Sequence, residues 1–228
     1  MSLILCYAPG TCAFAAIVAL EMAGAQYEAR RVNLQDGEQR EPAFKSISPL
    51  GRVPALIVDD LPVTELIAVL TYCANRFPDA GLLPAGSPLE LARAYETLSW
   101  FSTSLHAYIA QIFRGERMAD DEGVKAHLKA VGRERFVAQL PLLEQRYAVG
   151  SGYLAGPSFT VVDAFSIVIW RWAQKLEIDG AAYPNWSRAI ARDLERPDVQ
   201  RACHVEASGN GSRSNDPETT AKLPLARA

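Results

Sequence analysis

The sequence has few cysteines, few histidines and little net charge, and each shortage excludes a class of function. Four cysteines in 228 residues are too sparse for the disulfide framework of a small secreted protein. The three histidines are scattered, and no cysteine joins them at the spacing of zinc ligands, so we expect no metal site. A formal net charge of −3 provides no basic field for nucleic acid.

Long apolar runs are also missing from the sequence. The most apolar stretches, Ala13 to Ala23 and Phe159 to Ala173, are shorter than the roughly 20 residues of a transmembrane helix and are typical of buried helices. The amino terminus has no basic segment ahead of an apolar one, so a secretory signal is not expected. We therefore predict a cytoplasmic protein that binds neither membrane nor nucleic acid.

Strand and helix signals alternate only in the first 80 residues. There the pattern predicts strands at Leu3–Tyr7, Tyr27–Leu34, Pro54–Val58 and Val63–Thr64, and helices at Ala13–Met22, within 38–47 and at Ile67–Phe77. Only helical patterns follow, at Leu89–Phe113, Val124–Tyr147, Thr160–Lys175, Ala189–Leu194 and Pro197–His204. The sequence therefore predicts an α/β domain at 1–80, a Gly- and Pro-rich linker at 81–88, an all-helical domain at 89–206 and a polar tail at 207–228.

The turn Pro9-Gly10-Thr11 leads into Cys12 at the start of the first predicted helix. Free amides and the helix dipole at such an end favour a thiolate, or the sulfur of a bound thiol, and can lower a cysteine pKa to roughly 3.5–7.5. The alternative is a small buried side chain, which is the usual state of a free cysteine. The sequence alone leaves both interpretations open.

Two other segments of the first domain could bind a peptide-like ligand. A cis bond before Pro54 would turn the Val53 backbone outward, although few X–Pro bonds are cis. Glu65 lies where a helix begins, and a carboxylate beside free amides suits a zwitterion. Simple capping by Thr64 is the alternative for that helix start.

Polar residues interrupt the apolar helical pattern of the second domain at two places. His106 shares one helical stripe with Ser99, Ser102 and Thr103, which is either a solvated face or part of a site. Further on, the spacing of Thr160 and Asp163 predicts a capping box, so we expect Asp163 to stabilise the fold and take no part in catalysis.

Five segments together resemble the cytosolic glutathione transferases, and the bacterial beta class in particular. They are YAPGTC at 7–12, SPLGRVPAL at 48–56, Thr64-Glu65, LSWFSTSLH at 98–106 and FTVVDA at 159–164. The resemblance runs from about Leu3 to Val205. It implies a thioredoxin-like domain followed by an all-helical domain, usually assembled as a homodimer, and an enzyme with glutathione as its co-substrate.

By this resemblance the candidate catalytic residues are Cys12, His106 and Tyr7. Cys12 matches a cysteine that can form a mixed disulfide with glutathione, His106 a histidine beside that sulfur, and Tyr7 a tyrosine near the site. Leu66 stands where the family often has Ser and the beta class Gly or Ser, so only its amide is expected to contribute. The residues matched to glutathione binding are Thr11, Cys12, Arg52, Val53, Pro54, Glu65, Leu66, Ser99 and Thr103.

The resemblance implies transfer of glutathione to a small hydrophobic electrophile, as in detoxification, or glutathione-dependent thiol–disulfide or peroxide chemistry. Two alternatives use the same scaffold. One is a specialised pathway enzyme, such as a dehalogenase, an isomerase or an ether-cleaving enzyme. The other is a glutathione-binding protein with little turnover.

Overall fold

A computed structural model of the protein describes residues 2–208, which divide into two units. One unit contains the chain up to Cys73 together with the last described helix, and the other runs from Ala74 to Arg196. In chain order the elements are β1 (Leu3–Tyr7), α1 (Ala13–Met22), β2 (Glu28–Arg31), α2 (Pro42–Lys45), β3 (Ala55–Val58), β4 (Leu61–Thr64), α3 (Leu66–Arg76), α4 (Pro88–Trp100), a π-helical turn (Phe101–Leu105), α5 (His106–Phe113), α6 (Glu122–Val149), α7 (Val161–Lys175), α8 (Pro184–Leu194) and α9 (Pro197–Ser208), with short 3₁₀ turns between some of them.

The first unit is built on a four-stranded mixed sheet with the strand order β2-β1-β3-β4. β1 pairs in parallel with β2 and antiparallel with β3, which in turn pairs antiparallel with β4. As an inner strand, β1 is almost wholly buried, which explains its apolar sequence. β1 ends at Tyr7, so the Pro9–Cys12 turn lies at the carboxyl end of this inner strand.

Helix α1 is the central helix of the first unit, with Ala13 to Glu21 all buried. α9 packs against it, and the Arg201 guanidinium donates to the carboxylate and the carbonyl oxygen of Glu21 at 2.9 and 3.0 Å. Tyr27 donates a further bond to the Glu21 carboxylate at 3.0 Å. A buried charge is tolerated only with such partners, so Glu21 holds the two helices together.

The second unit is helical, and local signals mark where its helices begin. α4 starts with Pro88 behind a capping box of Ser87 and Glu90. α6 starts behind Asp121, whose carboxylate accepts from the Val124 amide at 2.8 Å. The predicted capping box of α7 is confirmed, and this helix is buried from Val161 to Ile169.

The predicted fold class, an α/β unit followed by helices, is confirmed, with differences at element boundaries. β2 covers only Glu28–Arg31 of the predicted strand Tyr27–Leu34, because the chain turns away beyond the residues that pair with β1. The helix predicted over 89–113 is interrupted by the π-helical turn. α9 continues to Ser208, and the rest of the predicted tail lies outside the described residues. None of the helices within residues 2–208 is long and apolar enough to cross a membrane.

Candidate functional site

Cys12 lies between the end of β1 and the first turn of α1, after a left-handed residue at Gly10 with φ 73°. Its side chain is only 5% exposed, and its thiol donates a weak hydrogen bond to the Val53 carbonyl oxygen at 3.8 Å. The Val53–Pro54 peptide bond is cis. The structure thus brings Cys12 next to the backbone that the sequence singled out as a partner for a peptide ligand.

Of the two interpretations that the sequence leaves open for Cys12, the structure favours the buried side chain over the helix-end thiolate. Burial raises the pKa of the Cys12 thiol to about 12, its own backbone amide lowers it by less, and the negative charge of Glu65 raises it further. The helix end was expected to favour the thiolate, but loss of hydration disfavours any charge on a buried sulfur and outweighs it here. Cys12 is therefore a neutral thiol at pH 7, able to donate a hydrogen bond.

Two hydroxyl groups beside Cys12 already have partners within the first unit. Thr11 donates to the Ala8 carbonyl oxygen at 2.7 Å and accepts from the Ala13 amide at 3.3 Å. The fully buried Tyr7 donates to the Val205 carbonyl oxygen on α9 at 3.0 Å, and burial raises the pKa of its phenol. Both protons are engaged with backbone oxygens in this structure.

Helix α9 supports the turn before Cys12 through a residue that sequence reasoning missed. The Gly10 amide donates to the Glu206 carboxylate at 3.0 Å, in addition to the contact between Tyr7 and α9. Gly10 and Glu206 are 196 positions apart, and no local pattern could have connected them.

A second missed residue is Ser48, which shapes the turn before the cis peptide. Its buried hydroxyl donates to the Arg52 carbonyl oxygen at 2.9 Å and accepts from the Arg52 amide at 3.1 Å. The Arg52 side chain itself is exposed. Ser48 begins the segment SPLGRVPAL, but residue types alone do not indicate that its hydroxyl bonds to the Arg52 backbone.

Glu65 immediately precedes α3 and is exposed, with a left-handed backbone at φ 68°. Such a conformation strains any residue other than glycine, and strain of this kind is concentrated at functional sites. Its carbonyl accepts from the Val69 amide at 3.0 Å, while the next residue, Leu66, turns its side chain into the core. Cys12, Val53 and Glu65 all belong to the first unit, and the charge of Glu65 raises the pKa of Cys12.

The remaining candidates lie in the second unit, along α4, the π-helical turn and α5. Ser99 and Thr103 are exposed, and the Thr103 hydroxyl donates to the Ser99 carbonyl oxygen at 2.8 Å. His106 is half-buried and is the first residue of α5. Its ring contacts aromatic side chains of α7. Within residues 2–208, no group of three or more His, Cys, Asp or Glu side chains could hold a metal ion.

Comparison with known proteins gives matches along most of the chain. Family models for the glutathione S-transferase N-terminal and C-terminal domains match residues 1–75 and 104–197. Glutathione S-transferase GstA of Escherichia coli O157:H7 is 26% identical over 202 residues, which are 88% of this chain and 96% of that protein.

Solved structures of similar proteins extend these matches. A glutathione transferase homologue from Sulfitobacter with bound glutathione is 30% identical, with a TM-score of 0.84, over 89% of this chain and 97% of that one. A bacterial beta-class enzyme, the glutathione S-transferase of Sphingomonas chungbukensis, is 29% identical, with a TM-score of 0.78, over 89% of this chain and 98% of that one.

Proposed function

Since the chain belongs to the glutathione S-transferase family, we propose that it is an enzyme that transfers glutathione to small hydrophobic electrophiles. The observation that carries the proposal is the arrangement of Cys12, Val53 and Glu65 within one unit. It offers a thiol beside the cis Val53–Pro54 peptide bond and an exposed carboxylate at the start of a helix, which suit the sulfur, the backbone and the γ-glutamyl end of glutathione. The relative from Sulfitobacter, solved with bound glutathione, supports this assignment.

In the proposed complex, glutathione lies extended over the edge of the first unit. Its cysteinyl backbone pairs with Val53, and its γ-glutamyl ammonium pairs with the Glu65 carboxylate. The α-carboxylate of the γ-glutamyl group binds amides at the start of α3, including that of Leu66, because a helix N-terminus attracts anions. Arg52, Pro54 and Thr11 shape the backbone around this ligand, and Ser99 and Thr103 belong to the same proposal from the second unit.

The chemistry begins when the thiol of glutathione releases its proton to water. Cys12 stays protonated and donates its S–H to the glutathione thiolate, whose conjugate acid has a lower pKa than the buried Cys12 thiol. The thiolate then attacks the electrophilic carbon, a sulfur–carbon bond forms, and the leaving group departs with its bonding electrons. His106 supplies a hydrogen bond or a proton in this step.

Thiol–disulfide chemistry through Cys12 is the weaker candidate. A thiolate is the species that attacks a disulfide, and burial keeps Cys12 neutral. Conjugation uses the sulfur of glutathione and does not need a charged Cys12. In this proposal, residues of the second unit select the electrophile, because membership of a fold family does not determine the substrate.

Titration calorimetry with reduced glutathione tests the proposal on the wild type, Glu65→Gln and the control Glu41→Gln. Glu41 is an exposed carboxylate of the same unit whose side chain does not cap α2. Loss of a charged hydrogen bond at Glu65 should weaken binding by at least about tenfold, while Glu41→Gln should bind as the wild type does. A wild type that neither binds glutathione nor conjugates it to 1-chloro-2,4-dinitrobenzene would contradict the proposal.

The proposal includes a homodimer, in line with the family, and a cytoplasmic location, in line with the sparse cysteines. Light scattering at several protein concentrations tests the first of these. A monomer at all concentrations would remove the dimer from the proposal and leave the assignments within the first unit unaffected.

A further inference from the structure

The His106 ring lies against two aromatic side chains of α7. The centroids of His106 and Trp172 are 4.8 Å apart with their planes inclined by 37°, and Phe165 lies edge-on at 6.4 Å and 86°. Phe165 and Trp172 are seven residues apart, which is about two helical turns, so they project from the same side of α7. The imidazole of His106 is tilted against the Trp172 indole and is nearly perpendicular to the Phe165 ring.

This aromatic pair is held rigidly by the rest of the second unit. Phe165 is fully buried and Trp172 is 5% exposed, and their rings contact each other at 6.5 Å. Phe165 also meets Phe101 edge-on at 5.6 Å. Aromatic rings that interlock in this way add to the stabilisation from buried area, so the pair provides a fixed surface for the imidazole.

His106 itself follows the π-helical turn Phe101–Leu105. A π turn places an extra residue in one helical turn, changes the direction in which the following side chains project, and is found frequently at functional sites. The combination of this turn with the two rings explains why an imidazole, rather than an aliphatic side chain of the apolar stripe, faces Trp172.

We infer that Trp172 is a positioning residue, whose indole holds the His106 imidazole in the orientation in which it acts on the glutathione sulfur. The inference rests on the proposed function for its catalytic consequence. A histidine side chain rotates about two bonds, and fixing it before substrate binds removes an entropic cost from the reaction. Trp172 acts through His106 and needs no contact with either substrate.

The orientation of His106 is tested by NMR of the histidine ring protons, which does not depend on turnover. The chain has three histidines, and His106→Asn identifies the His106 signals. The indole ring current should move these signals away from their random-coil positions in the wild type and in the control Trp170→Leu. Trp170 is on the same helix but packs edge-on against Trp186 at 4.8 Å. The displacement should become much smaller in Trp172→Leu, where only the edge of Phe165 still faces the imidazole, and a displacement equal to that of the wild type would overturn the inference.

The catalytic role is tested by a double-mutant cycle with the generic electrophile. Trp172→Leu should lower kcat by about ten- to a hundredfold with little change in the KM for glutathione, because a catalytic group that is misplaced contributes less to the reaction. Trp172→Phe keeps an aromatic face and should recover most of that loss. In a His106→Asn background, Trp172→Leu should have almost no further effect, because coupled residues are not additive.

Three results would overturn the inference. An equal loss of kcat in Trp170→Leu would show a general effect of removing a large ring from α7. A further loss in the His106→Asn background, or a raised KM for the electrophile alone, would show direct contact between Trp172 and substrate. Failure of the proposed function is distinct from these results, since a wild type without turnover would leave the NMR displacement intact.

Discussion

Asp163→Asn should remove a dependence of stability on pH that the buried carboxyl group gives to the second unit. Asp163 is fully buried, and its two oxygens accept from the Leu154 amide at 2.9 Å and the Thr160 amide at 3.0 Å. The Thr160 hydroxyl lies 3.1 Å from the second oxygen. A neutral carboxyl can keep both amide bonds and donate its own proton to this hydroxyl.

Burial raises the pKa of Asp163 from 3.8 to about 7, the bonds from Leu154 and Thr160 lower it by less, and the charge of Asp193 raises it further. Because the folded pKa lies above the unfolded one, the folded state binds more protons between these two values. Stability from this group is therefore present below about pH 4 and is lost as the pH rises to about 7. The difference between the two pKa values corresponds to about 4 kcal/mol of unfolding free energy.

The asparagine variant has a single acceptor oxygen, so one of the two buried amides loses its partner at a cost of about 1–3 kcal/mol at any pH. The variant cannot ionise, however. The unfolding free energy of the wild type minus that of Asp163→Asn should therefore fall by up to about 4 kcal/mol between about pH 4 and pH 8.

Urea unfolding followed by tryptophan fluorescence measures this difference in the correct unit, since all four tryptophans lie between Ala74 and Arg196. Asp121→Asn is the matched control, because Asp121 also caps a helix but is exposed. A difference that stays flat or grows as the pH rises would refute the reasoning, and would show that the hydrogen bonds to the carboxylate outweigh its desolvation.

Two further predictions concern the first unit. The rate at which iodoacetamide alkylates Cys12, measured by peptide mass spectrometry, should rise about tenfold per pH unit above neutral pH, because only the thiolate reacts. The rate should reach no plateau below about pH 10. A plateau near pH 7 would contradict the buried neutral thiol. Tyr7→Phe should lower the unfolding free energy by about 1 kcal/mol, the contribution of one hydrogen bond, and alter kcat less than His106→Asn does; a larger loss of kcat in Tyr7→Phe would return its hydroxyl to the reaction.

Much of the fold could be predicted because its signals are local. The strand Leu3–Tyr7 and the helix Ala13–Met22 have the predicted bounds. An apolar run of five residues is typical of a strand, whereas a longer apolar run that stops before Gly24 is typical of a helix. The capping box of Thr160 and Asp163 depends on three residues of spacing. The π-helical turn had no such signal, because neither Pro nor Gly occurs in FSTSL.

The candidate site divides in the same way. The segments that carry Cys12, Val53 and Glu65 could be found by their order and residue types, while the bond between Gly10 and Glu206 joins residues 196 positions apart. A similar separation applies to Tyr7, since the carbonyl oxygen that accepts its proton belongs to α9.

The family and the order of strands and helices can be predicted from the sequence, because they follow from residue type and short spacing. The protonation state of the buried side chains depends on the tertiary structure. Cys12 is at a helix end that favours a thiolate, yet burial makes it a neutral donor, and Asp163 is a capping residue whose surroundings raise its pKa to about 7. Desolvation depends on atoms supplied from the whole unit, and no local pattern contains that information.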